Sequence, residues 1–309
     1  MIKYIIRRIL FLIPVMIGVA FCVFTLLYLT PGDPARMVLG DLATEESLQE
    51  FREKEGLNDP FLVQFGNYLY KAVTQGDIGR SYITKRPVMQ DIMGAFPYTL
   101  KLSAFAMLIA ILIGIPCGIL SAIKQYSFFD TITMIFAMIG LSMPVFWLGL
   151  LLILYFSVHL RWLPSSGFDT FSAMVLPAVA LSAQAISMVT RMTRSSMLEV
   201  VRADYVRTAR AKGQNESVVI WVHALRNALI PVVTLCGLQF GHLLSGAILT
   251  ESIFAIPGVG RLMVEAIKMR DYPTVQGGVL FVAVAFSVVN LLVDLVYAYI
   301  DPRIKAQYK

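Results

Sequence analysis

The chain has 309 residues, of which 57% are hydrophobic and 15% are charged, and its formal net charge is +6. Soluble domains typically carry about 25% charged residues. A mean hydropathy of +0.71 therefore excludes the ordinary soluble class and indicates a membrane protein. The three cysteines lie in separate apolar runs without paired spacing or a histidine neighbour, which predicts neither a disulfide framework nor a metal site.

Six apolar runs are long enough to cross the hydrocarbon core of a bilayer, which takes about 20 residues. The sequence predicts an all-α polytopic membrane protein with six transmembrane helices, at residues 9–29, 102–123, 131–158, 173–190, 227–250 and 272–300. The first run is too long for the core of a signal peptide and lacks a cleavage site, so we interpret it as a retained helix. The other predicted regions are the terminal segments 1–8 and 301–309, one long connection at 30–101 and a five-helix core at 102–300.

The long connection at residues 30–101 exceeds a simple turn between two crossings. Its stretch TEESLQEFREKEG, at residues 44–56, is typical of a helix, because a threonine can cap the first turn and a glycine can end the last. Residues 59–73 place aromatic and aliphatic side chains at helical spacing. We expect short amphipathic helices, and three roles are open for their apolar side chains: packing, which is favoured, contact with the membrane surface, or contact with a partner. A second segment of this kind, residues 254–273, precedes the last crossing.

Positive charge is distributed unevenly between the two sides of the predicted membrane protein. The terminal segments together with the connections 124–130 and 191–226 hold 14 Lys and Arg and 5 acidic residues. The short connections 160–172 and 251–271 hold 4 of each. Because short cytoplasmic loops are enriched in Lys and Arg, we expect both termini and the 191–226 connection in the cytoplasm, and the long connection outside.

Small residues recur at every fourth position on two of the crossings, where they form one helix face. The second crossing carries Ala106, Ala110, Gly114, Gly118 and Ala122, and the fifth carries Gly237, Gly241 and Ser245. Such faces let helix backbones approach closely in lipid, so they predict helix–helix contacts. Pro116, Pro144 and Pro177 lie inside crossings and predict kinks, because each removes a backbone hydrogen bond.

Five polar side chains within the crossings are candidates for lining a pathway. Gln239 and His242 share a face of the fifth crossing, and Ser287, Asn290 and Asp294 share a face of the sixth. A polar group in the membrane is expected to face protein or water rather than lipid. Two roles are open for these residues: contact with transported cargo, or hydrogen bonds to a neighbouring helix.

The motifs of common catalytic sites are missing from the sequence. There is no phosphate-binding loop, no zinc-protease motif and no nucleophile elbow, and the three histidines are scattered. We therefore predict no catalytic residue, no cofactor and no metal in this chain, which is not expected to be an enzyme. If transport uses ATP, another subunit must supply it.

The connection at residues 191–226 is far longer than the usual helix–helix connection of about 2–8 residues. Within it, Asp204 can begin a helix and Gly213 can end one. Its positive charge is explained by contact with anionic lipid headgroups. Small alanines beside the arginines, including Ala209, instead suit insertion into a groove of a partner.

The chain resembles the integral membrane subunits of binding-protein-dependent ABC importers, in the branch that contains peptide, nickel and glutathione permeases. The resemblance rests on an ordered series of motifs from the first crossing to the sixth: LTPGDPA, GLNDP, VQFGNYL, GDIGRSYITKRPV, FPYTLKLS, DYVRTARAKG, HALRNALIPVV, GLQFG, PGVGRL and RDYP. Any one of them is weak, but the series covers nearly the whole chain.

This resemblance implies the transmembrane domain of a type I ABC importer in a bacterial inner membrane. Such a subunit pairs with a second, homologous permease, binds two cytoplasmic ATPases that hold ATP and Mg, receives cargo from an external substrate-binding protein, and has no nucleic-acid partner. It also implies a coupling helix that fits a groove on the ATPase. The implied coupling residues are Asp204, Tyr205, Val206, Arg207, Thr208, Ala209, Arg210, Ala211, Lys212 and Gly213.

The coupling segment departs from the broad pattern of ABC importers. That pattern has Glu-Ala-Ala where this chain has Arg207, Thr208 and Ala209, so no contact through the glutamate is expected. The cargo implied by the resemblance is a short peptide, with glutathione and chelated nickel as alternatives. An ATP-independent secondary carrier or channel is the alternative from another class, although the chain shows no clear internal repeat.

Overall fold

The structure of the protein is a computed structural model that describes residues 2–40 and 42–300; the side chains of 2–5, 7–9, 294 and 296–300 lie outside that description. Within these residues the chain forms α-helices and no β-strand, as expected for an all-α membrane protein. The helices are α1 (Ile2–Leu29), α2 (Pro34–Leu39), α3 (Glu45–Lys54), α4 (Phe61–Gln75), α5 (Val88–Ile123), α6 (Phe128–Ser142), α7 (Val145–Leu152), α8 (Phe171–Val201), α9 (Asp204–Ala211), α10 (Glu216–Val218), α11 (Leu225–Ile253), α12 (Val259–Lys268) and α13 (Tyr272–Ile300). Wider π-helical turns extend α7 over Ile153–His159 and precede α11 over Val219–Ala224.

Five helical stretches of the described chain are long and apolar enough to cross a membrane: Leu10–Leu29, Val88–Ile123, Phe171–Val201, Glu216–Ile253 and Tyr272–Val293. They match five of the six predicted crossings. The fourth of these predictions was the shortest, yet α8 continues beyond its expected end at Thr190 to Val201.

The third predicted crossing, residues 131–158, is not one straight helix. It breaks between Ser142 and Val145, and its two halves are bent by 105°, so that it is a sixth span only if the bent pair is counted as one. Pro144 is the cause, because proline disfavours helical backbone at the residue before it. Met143 accordingly has an extended conformation, with φ −80° and ψ 124°. The kink expected at Pro144 is therefore present and is larger than a bend within a helix.

Two compact units divide the described residues. Unit 1 contains residues 99–256 and 286–300 with the first few residues of α1, and unit 2 contains residues 6–98 and 257–285.

Close helix contacts in unit 1 form at the small-residue stripes, as predicted. A methyl group added at Gly118 of α5 would lie 2.6 Å from Cβ of Thr193 in α8, and one added at Gly237 of α11 would lie 2.2 Å from Cγ2 of Val293 in α13. A side chain at either glycine would push the helices apart. The stripes therefore set the separation of α5 from α8 and of α11 from α13.

In unit 2, the aromatic stripe of α4 packs on α1. Phe61 and Phe65 each contact Phe24, with ring centroids 5.4 and 5.5 Å apart. Of the roles open for the amphipathic segment at 59–73, packing within the chain is thus the one that the structure shows for these side chains.

Unit 2 also brings together motifs from distant parts of the sequence. The buried carboxylate of Asp271 accepts hydrogen bonds from Ser81 Oγ (2.5 Å), from the Tyr82 N–H (2.8 Å) and from Thr274 Oγ1 (2.7 Å). Nη1 of Arg270 donates to the Pro31 carbonyl at 2.8 Å. The RDYP motif therefore ties two other motifs, GDIGRSYITKRPV and LTPGDPA, to the start of α13.

A half-buried aspartate caps the first turn of α2. Asp33 accepts a hydrogen bond from the Ala35 N–H at 3.0 Å and another from Arg52 of α3. The hydrogen bond from Arg52 lowers the pKa of the Asp33 carboxyl below its usual value, which keeps the cap charged at the positive end of the helix.

Replacing Gly118 with Ala is expected to destabilise the protein by about 1–3 kcal/mol, because the new methyl group meets Thr193 and the Thr190 carbonyl in a packed contact. Thermal unfolding in detergent measures this effect. The matched control is Gly94→Ala in the same helix, where nothing lies within 4 Å and alanine is the better helix former. Equal melting temperatures for the two variants would contradict the close contact.

Candidate functional site

The conspicuous surface feature of unit 1 is the short basic helix α9. Its first residue, Asp204, follows extended backbone at Ala203, and its last residue, Ala211, precedes Gly213 with φ +75°. Glycine adopts this left-handed conformation without steric cost, and its N–H donates to the Arg210 carbonyl at 2.9 Å. The start at Asp204 and the stop at Gly213 that the sequence predicts are both confirmed.

One face of α9 is buried against the rest of unit 1. Val206 is fully buried, Ala209 is 8% exposed, and both pack with Val219 and Val200. Ala209, expected from its small size to insert into a partner, thus lies on the inner face. The two residues are three apart and share one stripe of the helix.

The opposite face of α9 is open to solvent. Its exposed residues are Asp204, Tyr205, Arg207, Thr208, Arg210, Ala211, Lys212 and Gly213. Ala211 is the alanine that a partner can reach, because Ala209 is covered. The outer face is polar and basic, with Thr208 Oγ1 donating to the Asp204 carbonyl at 2.9 Å.

Three side-chain contacts hold α9 to the helices on either side. Arg210 donates to Glu216 through Nη2 (2.6 Å) and Nε (3.1 Å), and its Nη1 reaches the Val201 carbonyl at 3.4 Å. Nδ2 of Asn227 donates to the Tyr205 hydroxyl at 2.9 Å. The charge of Arg210 is consequently paired within the chain. Arg207 stays largely exposed, 3.8 Å from Asp204.

An ion pair in unit 1 joins α6 to α8 and receives a further hydrogen bond from α5; its carboxylate is buried and its guanidinium is half-buried. Nε and Nη2 of Arg194 in α8 donate to the two carboxylate oxygens of Asp130 in α6, at 2.7 and 2.8 Å. Ser121 of α5 donates to the same carboxylate, and so does the Tyr126 N–H at 3.0 Å. Sequence reasoning missed this cluster, because Asp130 was assigned to a short loop. The sequence signal for this ion pair is that Asp130 and Arg194 each lie next to an apolar run.

An apolar cluster joins α5, α8 and the start of α11 close to this ion pair. Its buried members are Ile119, Ala122, Met197, Ile220, Ala224 and Ala228. Leu198, Val200 and Val201 pack against it from α8. The residues that lead into α9 therefore belong to a packed core rather than to a free loop.

The polar candidates of the crossings are only partly brought together. His242 of α11 meets Phe286 of α13, with ring centroids 5.9 Å apart, while Gln239 and Ser287 are half-buried. Oδ1 of Asn290 is buried and has no hydrogen-bond partner among the described residues. A methyl group added at Gly241 of α11 would lie 3.7 Å from this oxygen, so Asn290 lies at the contact between α11 and α13, but its Oδ1 does not make the interhelical hydrogen bond that was one of its expected roles. The side chain of Asp294 lies outside the described residues.

Among the described residues, no group of three or more His, Cys, Asp and Glu side chains is placed to hold a metal ion.

Two family sequence profiles match the chain. The profile of the binding-protein-dependent transport system inner membrane component covers residues 114–306, and the profile of the N-terminal part of such membrane components covers residues 1–103. The chain belongs to this family. It is an ABC importer permease, and the series of motifs that suggested this class is confirmed.

Relatives of known assignment match over the whole permease. The chain is 46% identical to the dipeptide transport system permease protein DppB of Alkalihalophilus pseudofirmus, covering 99% of this chain and all of that protein. It is 45% identical to the glutathione transport system permease protein GsiC of Salmonella typhimurium and 43% identical to that of Escherichia coli K12, covering 99% of each chain.

Solved structures with the same fold are ABC transporters. An inward-facing structure of the MetNI methionine ABC transporter matches 69% of the permease and 97% of that chain, with a TM-score of 0.60 at 18% identity. An amino acid ABC transporter matches 70% of the permease with a TM-score of 0.53 at 15% identity. These likenesses show the fold of an ABC transporter transmembrane domain.

Replacing Val206 with Ala is expected to loosen α9, because it removes buried apolar contacts worth about 2 kcal/mol. Hydrogen exchange of residues 204–218 in the purified permease should become faster by at least tenfold. The control is Val218→Ala, since Val218 is 41% exposed. Unchanged exchange in the Val206 variant would show that the inner face does not hold the helix.

Proposed function

We propose that the permease forms half of the translocation pathway of an ATP-driven importer and that α9 is its coupling helix, which docks on a cytoplasmic ATPase subunit. One observation carries this proposal: α9 presents an exposed basic face, while its inner face, Tyr205 and the paired Arg210 anchor it to α8, α10 and α11. A helix anchored in this way transmits a push as a rigid element.

The assembly and its orientation follow from this role. The permease pairs with a second homologous permease, binds two ATPases that hold ATP and Mg, and receives cargo from an external binding protein. It spans the bacterial inner membrane with both termini and α9 in the cytoplasm, which is supported by the excess of Lys and Arg in those segments. Residues 30–87 and 254–273 then face outward, toward the binding protein.

We infer that the cargo is a short peptide. The full-length relatives are named for dipeptide and glutathione transport, and both cargoes are small molecules with peptide bonds. Kinked and broken helices, above all the 105° break at Pro144, supply backbone that can change between inward and outward access.

Charge reversal on the outer face of α9 tests the coupling role. Arg207→Glu is expected to lower ATP-driven uptake in vesicles about tenfold, a change that corresponds to about 1.4 kcal/mol, because it reverses an exposed charge without touching the buried face. Uptake and ATP hydrolysis are measured together in the complete complex. The control is Lys124→Glu, an exposed lysine on another connection of the same predicted side. Normal uptake in the Arg207 variant would contradict docking through this face.

Reconstitution tests the requirement for partners. Vesicles that contain both permeases, both ATPases and the binding protein are expected to accumulate a labelled dipeptide only when ATP is supplied, and a nucleotide-binding mutation in the ATPases should abolish accumulation. The permease alone should accumulate nothing. Uphill transport by the isolated chain would replace this proposal with a secondary carrier.

A further inference from the structure

Within unit 1, short stretches of chain connect α9 to α8 and α11. Two residues, Arg202 and Ala203, join the end of α8 to the start of α9, and after α9 the π-helical turn at Val219–Ala224 leads on to α11. No comparably short connection runs from α9 to α5 or α6. Movement of α9 therefore reaches α5 and α6 through noncovalent contacts.

Two glycines of α5 lie at its contact with α8. Gly114 and Gly118 lie against α8 so closely that an added methyl group would fall 2.9 Å from Val189 Cγ1 and 2.6 Å from Thr193 Cβ. Glycine surfaces bring backbones together but carry no side chain that interlocks with the opposite helix. Such a contact holds the separation of the helices more firmly than their register along the axis.

Asp130 supplies the directional link that this contact lacks. Its carboxylate, 5% exposed, is bound bidentately by Arg194, whose donor atoms lie 2.7 and 2.8 Å away. Ser121 and the Tyr126 N–H complete its shell. A planar guanidinium on a carboxylate allows one orientation, so the shell fixes the ends of α5 and α6 against one turn of α8.

A second link lies closer to α9. Nη2 of Arg202, the residue at the end of α8, donates to Oε1 of Gln125 at 3.2 Å. Gln125 belongs to the same short α5–α6 connection that wraps around Asp130, where Tyr126 has a left-handed conformation with φ +62°. Both links run from this connection to the last part of α8.

An ion pair whose carboxylate is buried is costly to form, because that carboxylate loses its contacts with water. Apolar residues of similar size often stabilise a protein equally well. A pair of this kind is better explained by the geometry that it imposes than by the stability that it adds.

We propose that Asp130 and Arg194 are positioning residues for transport, which make α5 and α6 follow α9 as one body during the ATP-driven cycle. This inference rests on the proposed coupling role of α9. In this role the pair determines how far the movement received by α9 spreads into the permease.

Substitutions that keep the shape of the pair but weaken it test this role. In vesicles with the complete complex, Asp130→Asn and Arg194→Lys are expected to keep binding-protein-stimulated ATP hydrolysis within about twofold and to lower the amount of a labelled dipeptide imported per ATP about tenfold. The controls are Arg191→Lys and Glu199→Gln, exposed residues of the same helix. A merely structural pair would lower hydrolysis and uptake in proportion, and that result, or unchanged uptake, would overturn the inference.

If the variants fail to assemble, a distance between α6 and α9 can be measured in a permease that keeps Asp130 and Arg194. Spin labels replace the exposed residues Phe128, at the start of α6, and Thr208 of α9, with the three native cysteines changed to serine. The distance between the labels is expected to stay within about 2 Å between the nucleotide-free and ATP-trapped complexes. A larger change would overturn the inference.

The outcomes separate this inference from the proposed function. If Arg207→Glu uncouples transport while Asp130→Asn leaves import per ATP unchanged, α9 couples and the ion pair does not position. If the unaltered complex shows no ATP-driven uptake, the proposed function itself fails.

Discussion

The close approach of α5 to α8 is the constraint on which the rest of unit 1 depends. In lipid, the hydrophobic effect does not drive two apolar helices together, so van der Waals contact and hydrogen bonds must hold them. Glycines at positions 114 and 118 allow the backbones of α5 and α8 to make close contact, and the Asp130–Arg194 pair adds directional hydrogen bonds. The pair lies between α6 and α8, and Ser121 of α5 donates to the same carboxylate, so the pair and the glycine contact together hold α5, α6 and α8.

Helix α9 packs against the helices of unit 1. Its inner residues, Val206 and Ala209, contact Val200 and Val219, and these flank the apolar cluster that joins α5, α8 and α11. The outer face carries exposed charge. A short helix of this length has little stability in isolation, so its order comes from packing and from the Arg210–Glu216 pair. The same order makes it suited to pass on a movement.

In unit 2, hydrogen bonds to carboxylates order the long connection. A long polar connection has to be ordered without a large core, and two carboxylates do this by accepting hydrogen bonds from several segments. Asp271 binds Ser81 and Thr274, and Asp33 binds Arg52 and caps α2. Motifs of the family that look unrelated along the chain thus meet as partners, which gives a physical reason for their joint presence in this sequence.

The amino-acid sequence by itself determined the membrane class, the approximate crossings, the small-residue faces, the bounds of α9 and the family, because hydropathy, helix caps and four-residue spacing are local properties. Only the tertiary structure decided the 105° break at Pro144, since proline sets a bend but the surrounding packing sets its angle. It also decided which face of α9 is buried, and it paired Asp130 with an arginine 64 residues away. Such pairings depend on how helices pack against one another, and no short stretch of sequence contains that information.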